Sequence, residues 1–228
     1  MSDTSCVRRF SLGIVAIMLT SVVASAQAPR GGGPGPVLGI VEIPLLFSSD
    51  PAKGDDQRGV IGIFSRPDPN GRIVAEITSP QAIDEAEYAY EEAGALVYGR
   101  ARGYCLIRTS RGVGWVSPDQ AGPFHSLETL VKNELAYLTR AWDGFVHDSP
   151  GSARRTPVNP QRSTQRTEAR DVRVRQARSV SGTLWLDVEI LSGNVCVSNA
   201  PPVVKARGWI RAHDAAGAPT VWFPSRGC

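Results

Sequence analysis

The sequence has few of the side chains from which catalytic and metal sites are built, with 3 His and 4 Cys in 228 residues. No His or Cys pair has the spacing of a zinc site, and no loop repeats carboxylates as a calcium site does. No glycine-rich loop stands between a strand and a helix, where a phosphate-binding loop would lie. These absences argue against metal-dependent and nucleotide-dependent catalysis, and we expect no cofactor.

An excess of one charge and long hydrophobic runs are also missing from most of the chain. The 25 basic and 22 acidic side chains leave a formal net charge of +3, which is too small to indicate nucleic-acid binding. Beyond Val23 no apolar stretch approaches the roughly 20 residues of a membrane-spanning helix. We therefore expect no nucleic-acid partner and no membrane span.

The N-terminus carries the most specific signal in the sequence. An Arg-Arg pair precedes an apolar run from Leu12 to Val23, and small residues follow up to Ala26. A basic region, a short apolar segment and a small-residue cleavage site are the three parts of a secretory signal. Residues 1–26 are therefore predicted to be a signal peptide cleaved near Ala26, which places the mature protein in the periplasm or outside the cell.

Cleavage would leave three cysteines in an oxidising compartment. We predict a disulfide between Cys196 and Cys228, because it would hold the chain end and close a loop of 32 residues (228 minus 196). The chain-entropy model gives such a loop a stabilisation of about 3 to 4 kcal/mol. Cys105 lies in the other half of the chain and is predicted to stay reduced and buried.

Short apolar runs separated by turn residues predict a β-rich fold from Val41 onward. An Asn70-Gly71 pair between two such runs predicts a hairpin over residues 60–77. Only residues 126–138 show helical spacing of apolar side chains, with Ser126 as a candidate N-cap.

Two segments of the chain show the same order of features. Residues 103–108 form an apolar strand pattern followed by Gly114-Trp115-Val116, and residues 184–189 form another followed by Gly208-Trp209-Ile210. Each copy also has an upstream apolar run that ends in a proline turn, at residues 45–51 and 145–150. These features indicate a weak internal repeat.

The repeated strand patterns resemble the bacterial SH3-like domain family, a family of small exported β-barrels. In that family a strand with the pattern aromatic-x-x-Val/Ile is commonly followed by a strand with the pattern Gly-Trp-Val/Ile. The resemblance implies an all-β protein of two small SH3-like β-barrels with a short helical connector. It also implies a binding or targeting module rather than an enzyme. The predicted organisation is a flexible leader at 27–40, a first domain at 41–122, a connector at 123–140, and a second domain at 141–228 with a mobile basic loop at 149–170.

Aromatic side chains supply the candidate binding residues. Tyr88 and Tyr90 alternate with the carboxylates of an acidic run, and Trp142 opens the second predicted domain. Residues 37–126 have 8 basic and 12 acidic side chains, a balance of −4, whereas residues 140–228 have 13 and 7, a balance of +6. Because exposed ion pairs are weak and screened by salt, we expect only weak attraction between domains or between chains.

The sequence therefore predicts an exported, non-catalytic module that binds a cell-envelope glycan or peptide, or a partner protein. Two alternatives stay open. Cys105 with one of the histidines could form the thiol–imidazole pair of an envelope peptidase or hydrolase. Residues 194–205, an insertion in the second copy, could be the inhibitory loop of a secreted inhibitor.

Overall fold

The computed structural model describes residues 34–47, 59–132, 135–158, 170–192 and 201–224. Antiparallel strands make up most of these residues, so the all-β prediction is confirmed. The strands of the first half, which comprises the described residues up to 132, are β1 (Gly39–Val41), β2 (Ile61–Phe64), β3 (Ile73–Ile77), β4 (Glu85–Ala89), β5 (Glu92–Ala101), β6 (Tyr104–Thr109), β7 (Gly112–Val116) and β8 (Phe124–Ser126).

The second half comprises the described residues from 135 onward. Its strands are β9 (Leu135–Leu138), β10 (Phe145–His147), β11 (Arg155–Pro157), β12 (Arg170–Val180), β13 (Thr183–Leu191), β14 (Val204–Arg211) and β15 (Val221–Trp222). Two short helices, α1 (Pro44–Phe47) and α2 (Leu127–Val131), and a 3-10 turn at Pro80–Ala82 complete the described elements.

Each half forms one curled antiparallel sheet, and corresponding strands have the same order in the two sheets. The first runs β3-β2-β7-β6-β5-β1-β8, with β4 pairing β5, and the second runs β11-β10-β14-β13-β12-β9-β15. Every strand of the second sheet has a counterpart at the same place in the first, both along the chain and across the sheet. The weak repeat in the sequence is therefore a repeat in topology, and among the described residues β4 has no counterpart in the second half.

The predicted hairpin over residues 60–77 is confirmed, since β2 and β3 pair in antiparallel register from Ile61–Ile77 to Phe64–Ile73. The backbone N–H of Asn70 donates to the Asp68 carboxylate across 2.8 Å and tightens the connecting turn. The upstream proline turns, however, are not equivalent. Residues 44–47 form helix α1, and the counterpart of β10 is β2.

The helical connector is shorter than the spacing of its leucines predicts. Ser126 caps α2, accepting a hydrogen bond from the Thr129 N–H at 3.1 Å, as expected. The helix ends at Val131, and residues 135–138 form strand β9 between β12 and β15. Strand β8 also falls within the predicted connector of residues 123–140. Both sheets therefore include residues outside the predicted domain boundaries.

Two further predictions are corrected. The leader was expected to be flexible through residue 40, but Val37 is 1% exposed and β1 begins at Gly39. The basic loop was expected to be mobile over residues 149–170, but Arg155–Pro157 forms β11 and pairs with β10. The part of that loop at residues 159–169 lies outside the described residues.

The two halves pack together through apolar side chains. One core cluster contains most of the inner face of the second sheet, the buried residues of α2, and residues of the first half: Val37, Ile40, Leu96 and Tyr98. A second core cluster lies entirely within the first half and contains Ile61, Ile63, Ile107 and Val116. The weak electrostatic contact predicted from the opposite charges is therefore corrected to a contact with a buried apolar core.

Candidate functional site

In each sheet the Gly-Trp strand meets its antiparallel neighbour through a single residue pair, and we call this contact the crossing. Phe64 of β2 pairs with Trp115 of β7, and His147 of β10 pairs with Trp209 of β14. Preceding each tryptophan is a glycine that faces the crossing strand, with Ile63 above the first and Val146 above the second. Glycine is required there because a side chain would collide with the crossing strand.

A cleft of about 210 Å³ opens beside this crossing in the second half. Its walls come from the β9–β10 loop, from β10, and from the end of β14 with the turn that follows. The side chains that give it chemical character are Trp142, Phe145, His147, Arg211, His213 and Asp214.

The aromatic wall of the cleft is held in place by hydrogen bonds within its own loop. The Trp142 indole Nε1–H donates to the Phe145 carbonyl oxygen at 3.0 Å, and the Phe145 N–H donates to Asp143 Oδ1 at 3.1 Å. The guanidinium of Arg155 lies 4.0 Å from the centre of the Phe145 ring. These contacts fix the two rings before any ligand arrives, which reduces the entropy cost of binding.

His147 has a defined tautomer. Its Nδ1 lies 2.7 Å from the Ser152 carbonyl oxygen, and because a carbonyl only accepts, Nδ1 must carry the proton. In this tautomer Nε2 is left as an acceptor. The ring also meets the edge of Trp185 at a centroid distance of 5.0 Å, which restricts its rotation.

His213 ties the leader to the cleft. Its Nε2–H donates to the Val37 carbonyl oxygen at 2.7 Å, and the Val37 N–H donates to the Gly217 carbonyl oxygen at 3.3 Å. Burial lowers the pKa of His213, and this effect exceeds the opposing effects of the Val37 carbonyl and of Asp214. The neutral ring is the form that suits this position.

Lowering the pH from about 8 to about 5 should therefore destabilise the wild-type protein more than its His213→Gln variant. Because the folded-state pKa lies below the unfolded value of about 6.5, the unfolded chain takes up the proton first. The stability contributed by neutral His213 is present above about pH 6.5 and is lost as the pH falls through the lowered pKa. Thermal unfolding of both proteins at the two pH values isolates this effect, since all other titrating groups are shared. Equal losses would contradict it.

Several polar groups of the cleft form hydrogen bonds within the protein. Both histidines spend one ring nitrogen on a backbone carbonyl, and Asp214 Oδ1 accepts from the N–H groups of Ala216 and Ala218. The Thr220 hydroxyl donates to the Arg211 carbonyl. Across the part of the chain that the structure describes, no group of three or more His, Cys, Asp and Glu is placed to hold a metal ion.

The three aromatic residues predicted to bind a partner are not gathered in one site. Trp142 lines the cleft, whereas Tyr88 and Tyr90 belong to the β4–β5 hairpin of the first half. Tyr88 stacks on His125 at a centroid distance of 4.6 Å, and His125 Nε2 lies 2.7 Å from a Glu42 carboxylate oxygen. Burial, followed by the charge of Glu42, raises the pKa of Tyr88. Tyr90 is 66% exposed.

Cys105 lies on β6 in the core of the first half and is 2% exposed. Burial raises the pKa of its thiol more than Arg100 lowers it, which favours the unreactive protonated form. It is a free thiol, as predicted, and it does not line the cleft that holds His147 and His213. Cys196 and Cys228, the predicted disulfide, lie outside the described residues.

Sequence reasoning missed most of the cleft because its residues come from distant parts of the chain. His147 and His213 were not predicted to line a binding site, and Arg211 was not singled out. A signal was available in the Gly-Trp repeat, since alignment on the two tryptophans places Ser117 of the first copy opposite Arg211 of the second. The departure of the second copy from the first was therefore visible.

No protein-family model, no curated protein and no solved structure matches this chain. Within the described segments, no helix has both the length and the apolar character needed to cross a membrane.

Proposed function

We propose that the protein is an exported, non-catalytic binding module of two SH3-like β-barrels, and that it binds a cell-envelope glycan in the cleft of the second half. The shared strand order and the equivalent glycine crossings support two copies of one small β-fold. The basic, apolar and small-residue segments of the N-terminus support export.

The observation that carries the proposal is the chemistry of the cleft. Trp142 and Phe145 present aromatic rings held by their own loop, and Arg211 and the two histidines supply polar groups beside them. A concave site with aromatic walls and a few fixed polar groups is the usual form of a small-ligand site. Sugar rings suit it because they have apolar faces that pack on aromatic rings and hydroxyl groups that pair with polar ones.

A comparison of equivalent positions in the two halves supports placing the ligand in the second half. At the equivalent crossing the first half has Phe64 in place of His147, and Ser117 at the position of Arg211. The first copy therefore has the same strand pairing but lacks counterparts of the His147 and Arg211 side chains. We assign binding to one site per chain.

Truncating Trp142 is expected to weaken binding by about tenfold or more, which corresponds to about 1.4 kcal/mol. Mature protein is sedimented with purified peptidoglycan and, separately, with total envelope polysaccharide. The bound fraction is compared for the wild type, Trp142→Ala and Arg211→Gln. Because Arg211 is exposed, its variant keeps the fold and reports on the cleft independently.

Tyr90→Ala is the matched control, since it removes an exposed aromatic ring outside the cleft. It should bind as the wild type does. Binding that is lost with Tyr90→Ala and kept with both cleft variants would move the site to the first half and overturn the assignment. Failure of the wild type to sediment with either material would overturn the proposed glycan function.

A further inference from the structure

The outer face of the second sheet carries a cluster of three arginines around one buried carboxylate. Glu189 lies at the centre of this arginine cluster, with its side chain 7% exposed. Its oxygens lie 3.1 Å from Arg173 Nη1, 3.6 Å from Arg175 Nη1 and 2.9 Å from Arg207 Nη2. The three arginine side chains are 59%, 50% and 61% exposed.

Strand register builds the cluster. Arg173 of β12 and Arg207 of β14 are the direct cross-strand neighbours of Glu189 on β13. A register shift between Val174 and Gln176 brings Arg175 to the same carboxylate. Neighbouring positions on the inner face, such as Val188, are buried in the core, so the cluster faces outward.

Glu189 cannot satisfy the cluster alone. Each guanidinium has about five N–H donors, whereas a carboxylate accepts about four hydrogen bonds in all. The three guanidinium groups share the carboxylate of Glu189, and all three arginines are at least half exposed. The cluster therefore has the charge and the donors for a second oxyanion, and guanidinium groups match carboxylates in a planar, two-point geometry.

The cluster and the cleft lie on the same face of the sheet. Arg207, Trp209 and Arg211 alternate outward along β14, paired with Glu189, Asp187 and Trp185 of β13. Arg211 lies four positions along the strand from Arg207, a distance of about 13 Å. Arg211 itself lines the cleft. A linear ligand seated in the cleft and running along β14 would reach the cluster after a few sugar residues.

The spacing of charges on this face disfavours nucleic acid. Asp187 stands between the two basic ends, beside the half-buried Trp209. A nucleic-acid strand has one negative charge about every 3.4 Å and would place phosphates against that carboxylate. A polymer with widely separated carboxylates avoids it.

We propose that the arginine cluster of Arg173, Arg175 and Arg207 is an anion subsite, and that the ligand of the cleft is an acidic glycan whose carboxylate binds there. This inference rests on the proposed function and names its ligand class. Glu189 holds the three guanidinium groups in place, and the bound carboxylate completes their coordination.

The test measures binding of a hyaluronan hexasaccharide, in which carboxylated and uncharged sugars alternate, and of the uncharged hexamer of glucose, maltohexaose, by isothermal titration calorimetry. The acidic hexamer should bind at least tenfold more tightly to the wild type. The double variant Arg173→Gln/Arg207→Gln should lose that preference. Arg175→Gln should lose part of it, and because this single variant leaves Glu189 two arginine partners, it should keep the fold. Raising the salt concentration should weaken binding of the acidic hexamer and leave binding of the neutral hexamer unchanged.

Arg111→Gln is the matched control, because it removes an exposed positive charge from the first half. It should keep the full preference, and an equal loss there would show that only net charge matters and would overturn the subsite. Equal binding of the two hexamers to the wild type would overturn the acidic-glycan inference alone, provided that envelope material still sediments with the protein. Tighter binding of a single-stranded oligonucleotide than of the acidic hexamer would overturn the glycan class.

Discussion

Replacing Gly114 by alanine is expected to destabilise the protein by about 2 to 3 kcal/mol, the usual cost of forcing extra atoms into a packed site. A Cβ at this position would lie 2.3 Å from Cγ2 of Ile63 and 3.2 Å from the Phe64 carbonyl oxygen. Ile63 is buried and branched, so it has no free direction in which to move. Either β2 must lift from β7 or the core behind it must shift. Thermal unfolding should show a melting temperature lower by about 4 to 12 °C.

Gly99→Ala is the control for this experiment, because its added Cβ would come no closer than 3.4 Å to Leu106 in the same sheet. Its stability should stay near that of the wild type. Gly208→Ala should behave like Gly114→Ala, since its Cβ would lie 2.9 Å from the His147 carbonyl oxygen at a φ of +154°. Similar melting temperatures for the Gly99 and Gly114 variants would show that the crossing does not need a glycine.

Removing the Trp222 side chain is expected to have the largest effect, about 3 to 5 kcal/mol. Trp222 has no exposed surface, stacks on Phe223 at a centroid distance of 5.0 Å, and pairs with Tyr137 of β9. Alanine would leave a cavity in the cluster that also contains Ile40 and Leu96 of the first half. Urea unfolding of Trp222→Ala should therefore show a lower midpoint for the whole protein in one transition.

Trp222→Phe separates the cavity from the loss of the indole. The Trp222 Nε1–H has no hydrogen-bond partner among the described residues, so phenylalanine removes a buried polar group that contributes no bond. This variant should keep most of the stability that alanine loses. Tyr90→Ala, at an exposed position, should change stability by no more than about 0.5 kcal/mol. Two separate transitions in Trp222→Ala, with the first half unaffected, would contradict a shared core.

Local features of the structure followed closely from local features of the chain. The predicted hairpin formed with residues 65–72 as its connection, where the Asn70 N–H donates to the Asp68 side chain and the Gly71 N–H donates to the Asp68 carbonyl oxygen. Ser126 capped the predicted helix start. The repeated Gly-Trp pairs also occupy equivalent places, since each glycine meets a crossing strand. In these cases the deciding contacts lie within a few residues or depend on the size of one side chain.

The helix end shows where local reasoning was insufficient. Leu127, Leu130 and Leu135 continue a helical spacing, yet Leu135 begins strand β9. Strand pairing with β12 and β15 supplies backbone hydrogen bonds on both sides of β9, and this outweighs a weak local preference. Likewise, a Gly- and Pro-rich leader looked flexible, but Val37 binds His213, a residue far along the chain.

By itself the sequence determined an all-β chain with an internal repeat, a short capped helix and a buried thiol at Cys105, because periodicity, turn residues and capping are properties of neighbouring positions. Only the tertiary structure decided that the halves share an apolar core, that Trp142 meets His147 and Arg211 in one cleft, and that three arginines surround Glu189. Each of these depends on strand register. A shift of a single residue in register would turn every side chain of the strand to the other face of the sheet and dismantle the site.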